Sequence, residues 1–102
     1  MRSKFECHAR LHIDGYPEAE TVVFRGLSHT GAVVEIRPSG PFLFPDHTVG
    51  LGFRTPTYGV CLARAVVLRA QGDGTHALFF TACNEALRRL QFNAIREGFP
   101  PR

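Results

Sequence analysis

Tryptophan is absent from this chain of 102 residues, and methionine occurs once. Lysine also occurs once, at Lys4. Long hydrophobic runs are missing too. The apolar stretches are a few residues each, and a membrane-crossing helix needs about 20, so no helical span is expected. The N-terminal Met1-Arg2-Ser3-Lys4-Phe5-Glu6 lacks the hydrophobic region of a signal peptide. The expected location is therefore cytoplasmic. Cysteine is scarce: Cys7, Cys61 and Cys83 are odd in number, far apart and without a Cys-x-x-Cys pair. That argues against a disulfide framework and against a four-ligand zinc site. Each cysteine has apolar neighbours and reads as a small buried hydrophobe.

With so little lysine, the formal charge of +3 rests on arginine. The guanidinium is a planar fork of donors that suits phosphate or carboxylate. A charge this small permits an anionic ligand without requiring one. Hydrophobic residues make up 44% and charged residues 21%, an ordinary globular balance. The length fits one domain, which can bury a core without help from metal or disulfides.

What the chain does have is glycine (10) and proline (7), placed between apolar runs. That is the pattern of short strands joined by turns. Phe5, Cys7, Ala9, Leu11 and Ile13 alternate with Glu6, His8, Arg10 and His12, which predicts a half-buried strand over 5–13. Asp14-Gly15-Tyr16-Pro17 reads as a turn. Thr21–Leu27 and Ala32–Ile36 form a second and third strand around Ser28-His29-Thr30-Gly31. A fourth, Val49–Arg54, contains Gly50 and Gly52, which weaken its strand preference. Val60–Ala70 is long for a strand, so a bulge or bend is expected. Gln71–Thr75 is a hairpin turn before a last strand, His76–Phe80.

The period then changes. Ala86, Leu87, Leu90 and Ala94 recur at helical spacing, with Phe92 and Ile95 flanking that face. Asn84 is the expected N-cap and Glu85 lies in the first turn, where the helix dipole favours it. Gly98 and Pro100 mark the far end. The fold class is mainly β: a six-stranded antiparallel barrel, closed or split, over about residues 4–80, with a C-terminal α-helix over about 84–97.

Catalysis and metal binding find no support. His8 and His12 share a strand face but lie about 13 Å apart, too far for one ion. Ser28-His29 lacks both a Gly-x-Ser-x-Gly elbow and an acid, and Asp46-His47 has no third partner. The expectation is a protein with no cofactor and no enzymatic role.

The succession of an N-terminal strand, the turn Leu27-Ser28-His29-Thr30-Gly31-Ala32, a long strand with a short hairpin, and Leu78-Phe79-Phe80 leading to a helix with Leu87-Arg88-Arg89-Leu90 resembles the PilZ family. The resemblance spans almost the whole chain as a single PilZ-like domain, 1–102. It implies a bacterial signalling domain whose ligand is cyclic di-GMP, held by an Arg-x-x-x-Arg segment before the first strand and by Asp/Asn-x-Ser-x-x-Gly at the hairpin turn. Ser28 and Gly31 match the second motif, and Gly26 stands where Asp or Asn is expected. Arg2 aligns with the second arginine of the first motif. With Met1 at the start, the first arginine has no position, and Lys4 and Arg10 do not restore the spacing.

Arg2, Arg25, Ser28 and Gly31 are thus the candidate ligand-binding residues, with Arg25 placed to replace a missing phosphate contact. Their structural alternative is plain. A tight turn uses a glycine that tolerates positive φ and a serine that bonds nearby backbone, and Arg25 is then a solvated strand arginine. Arg2 is close enough to the terminus to be disordered. Phe42, Phe44 and Phe53 either plug a barrel end or, for Phe42 and Phe44, offer an aromatic patch to a partner protein. Arg88, Arg89 and Arg96 form a solvated helix face that can meet an acidic partner.

Three functions follow. The first is a cyclic di-GMP receptor or adaptor in bacterial motility, pilus or exopolysaccharide regulation. The second is a degenerate PilZ domain acting through protein contact, as a monomer or weak dimer. The third, disfavoured because the phenylalanines fall at core or loop positions, is a small nucleic-acid-binding barrel.

Overall fold

A computed structural model describes residues 8–37 and 43–97. Six strands precede one helix: β1 (His8–Ile13), β2 (Ala19–Leu27), β3 (Gly31–Glu35), β4 (Thr48–Thr55), β5 (Gly59–Ala70), β6 (Thr75–Cys83) and α1 (Glu85–Glu97). All pairings are antiparallel. The strand order is β1-β2-β3-β6-β5-β4, closed by pairing of β4 with β1. Among the described residues, closure leaves no sheet edge for another chain to extend. Of the two expected forms of the barrel, the structure is the closed one.

Alternation builds the core. Ala9, Leu11 and Ile13 of β1 point inward, as do Val49, Leu51 and Phe53 of β4, and Cys61, Ala63, Ala65 and Val67 of β5. Burying one such leucine or isoleucine contributes about 1.5–3 kcal/mol. Phe53 belongs to this core and meets Phe24 edge-on at 4.6 Å between ring centres. His8, Arg10 and His12 face outward, as their phase requires.

Several boundaries differ from expectation. β6 runs three residues past Phe80, because the long β5 offers pairing partners: Ala63 opposes Cys83 and Arg64 opposes Ala82. β2 begins at Ala19, opposite His12. The irregularity expected in β5 is present, with register shifts against β6 at Val67/Arg69 and Arg64/Ala65. A further bulge separates Phe24 from Gly26 where β2 meets β3.

The two barrel ends are stopped differently. At the end holding the β3–β4 connection, Leu43 is fully buried. Its loop is tied to β5 by Asp46 N donating to Val67 O (2.8 Å) and Val67 N donating to His47 O (2.9 Å). Leu43, and not Phe44, is therefore the plug. At the other end lies α1, with Leu87 and Leu90 buried in the core. Asn84 starts it as expected, its Oδ1 accepting from Leu87 N at 3.0 Å. The same side chain extends β5, accepting from Leu62 N (3.1 Å) and donating to Val60 O (2.9 Å). Phe92 does not join the packed face and is 59% exposed. Gln91, 6% exposed, takes an inward place instead. Gly98 lies outside the described residues.

Candidate functional site

The β2–β3 turn holds itself together. Ser28 N donates to Gly31 O at 2.9 Å. The Ser28 hydroxyl accepts from Gly31 N at 3.1 Å and from Thr30 N at 3.3 Å. Phe80 N donates to Thr30 O at 2.8 Å, fastening the turn to β6. From the helix, the Gln91 amide donates to Ser28 O (2.8 Å) and His29 O (3.1 Å). The polar groups of Ser28 are thus engaged within the chain.

Gly31 is required for a reason other than the one expected. Positive φ falls at Gly15, Gly59, Gly72 and Gly74, not at Gly31. What forbids a side chain is close packing: a Cβ there would stand 1.8 Å from the Leu78 carbonyl oxygen. The glycine lets β3 lie tightly on β6.

Arg25 occupies the bulge between Phe24 and Gly26. Its Nε and Nη2 both lie 2.6 Å from Glu35 Oε1 across the strand pair. The guanidinium is turned to a carboxylate, not to the turn. At Gly26 an added Cβ would meet nothing within 4 Å, so the missing Asp or Asn side chain is not excluded by space.

Beside the turn, on the outer barrel face, is a depression of about 260 Å³. Gly26, Val33 and Ala77 form its floor, and Leu68 and Phe79 its walls; no charged side chain lines it. Leu68 is 55% and Phe79 43% exposed. No protein-family model, no curated protein and no solved structure matches the chain. The geometry alone therefore carries the site.

Of the expected ligand-binding residues, Ser28 and Gly31 meet at the turn, and Arg25 is held apart by Glu35. Arg2 lies outside the described residues, and so does Phe42. Phe44 is exposed and meets the His47 ring edge-on at 5.7 Å. Among the described residues no group of three or more His, Cys, Asp or Glu side chains is placed to hold a metal ion, and no helix is long and apolar enough to cross a membrane.

Two residues that shape the turn escaped the sequence reading. Gln91 follows Leu87 by one helical turn, so a polar residue on the apolar stripe was the available signal. Glu35 stands opposite Val23, two residues before Arg25, and that pairing follows from the strand register and not from any short motif.

Proposed function

We propose that this chain is a PilZ-type signalling barrel that works as an adaptor, through protein contact beside the Leu27–Gly31 turn, with weak or no capture of cyclic di-GMP. The observation that carries this is the state of the turn. Its serine is engaged with its own backbone, Arg25 is directed away from the turn toward Glu35, and the adjoining depression is apolar. A ligand with two phosphates needs cations there, and each missing charge-assisted hydrogen bond costs about 1.5–3 kcal/mol. Two such losses take a micromolar site beyond useful range. Exposed Leu68 and Phe79 at the rim suit an apolar partner surface with a polar surround.

The test is a calorimetric and NMR titration with cyclic di-GMP. The expected result is no saturable change at the amides of Ser28 and Gly31. Micromolar binding there would replace the adaptor by a receptor. The Gly26→Asp variant supplies the absent side chain in open space, and it is expected to gain measurable but weak binding. Leu68→Ser with Phe79→Ser should leave thermal stability nearly intact while abolishing capture of the partner from the native host.

A further inference from the structure

A second concavity lies on another part of the barrel wall and has the opposite chemistry. It crosses β1, β4, β5 and β6. Arg10 stands opposite Gly52, which stands opposite Leu62; His12 stands opposite Gly50, which stands opposite Arg64. The two glycines leave bare peptide between two walls of side chains. The groove is broad and open to solvent, with a volume of about 550 Å³. Its walls lean over that floor. A Cβ at Gly52 would lie 3.2 Å from Leu62 Cδ2, and one at Gly50 would lie 3.4 Å from Arg64 Nη1.

Its charge is one-sided. Arg10 and Arg64 line it from opposite sides, together with His12, and no acidic residue does so. Arg10 makes no ion pair among the described residues. Arg64 reaches Asp14 at 2.8 Å, with both side chains about half exposed (49% and 47%). An exposed pair of this kind contributes little, so an arriving anion can take the guanidinium at small cost. At the far end Cys83 lines the groove; burial pushes its thiol up, opposed by the positive charge of Arg88.

We propose that this groove binds a small phosphate-bearing ligand with a planar ring. Arginines on opposing walls can share a phosphate dianion through their forked donors. The Leu62 side chain and the Arg64 guanidinium lie over the glycine floor, and their outer face is one on which a planar ring can stack, a guanidinium against a π-face. The groove is separate from the turn, and the two proposals stand or fall independently.

The experiment is an amide NMR titration of the full chain with adenosine monophosphate, with adenosine and inorganic phosphate as separate arms. Adenosine monophosphate is expected to shift Gly50, Gly52, Leu62 and Arg64 saturably, and each half-ligand to bind at least about tenfold more weakly. Arg10→Ala and Arg64→Ala should each weaken binding about tenfold or more. Arg69→Ala, outside the groove, should not. Gly52→Ala raises the floor without altering charge and should weaken binding while the thermal melt stays unchanged. The proposal is overturned if no saturable shift appears at those amides. It is also overturned if adenosine alone binds as well, if Arg69→Ala costs as much as Arg64→Ala, or if a single-stranded oligonucleotide binds more tightly with a steep salt dependence.

Discussion

The barrel wall carries two faces that use glycine in opposite ways. Beside the β2–β3 turn, Gly31 is small so that backbone can touch backbone, and the arginine in that neighbourhood is matched by Glu35. Across β1, β4 and β5, Gly50 and Gly52 are small so that the Arg64 and Leu62 side chains can lie over bare backbone, in a groove that Arg10 and Arg64 line. The first face is closed by the chain's own polar groups and left apolar. The second is left open and cationic. A motif match therefore marks a place in the fold, whereas unspent donors mark a place for a ligand.

The sharpest test of this contrast is glycine replacement. Gly31→Ala puts a methyl into the Leu78 carbonyl, a fixed backbone atom, and should cost about 3 kcal/mol or more. Gly52→Ala meets only the end of a half-exposed leucine and should change stability by less than about 0.5 kcal/mol. Urea unfolding of both variants measures the difference; equal costs would erase it.

Next in size is Asn84→Ala. It removes an N-cap and two bonds to β5, at an expected cost of about 2 kcal/mol. Because α1 carries Gln91, the same variant should also loosen the turn, seen as faster amide exchange at Gly31 with little change at Gly50. Comparable exchange at both would mean that the helix does not discriminate between the faces.

His76 lies on the inner wall and is 6% exposed. Burial holds its imidazole below the ordinary value, opposed by a hydrogen bond with the Gly74 backbone. The unfolded chain then binds the proton more readily than the folded one. Stability from this group is complete above the unfolded value of about 6.5 and is lost as pH falls through the folded value. Unfolding midpoints followed from neutral to acid pH should decline over that window, and His76→Gln should flatten the decline.

The smallest effects belong to two of the surface ion pairs, one on each face. Arg25→Ala and Arg64→Ala remove exposed partners of Glu35 and Asp14 and should each cost less than about 1 kcal/mol, less still at high salt. In the stability cost of losing an arginine the two faces should look alike, and a ligand titration should separate them.

The sequence made the strand count, the inward phase of Ala9, Leu11 and Ile13, the irregularity of β5 and the Asn84 cap legible, because each is written in neighbours a few residues apart. It misplaced the plug, since Phe44 and Leu43 differ only in which side of a loop faces the opening. It set Phe92 at the flank of the packed face, whereas the structure leaves Phe92 exposed and turns Leu87, Leu90 and Gln91 inward. At the turn, Ser28 and Gly31 were found by their spacing, but the reason for Gly31 was not, because the carbonyl that excludes a side chain lies 47 positions along the chain.

The sequence by itself determined that this chain would be a short-stranded barrel with a terminal helix, because periodicity and turn residues act locally. Only the tertiary structure decided which arginine is directed to Glu35 and which line the open groove. Pairing of β2 with β3 through a bulge carries Arg25 to Glu35, and closure of β4 onto β1 sets Arg10 across two glycines from Arg64. The second encounter depends on register between strands distant in sequence, and that register is settled only when the barrel closes.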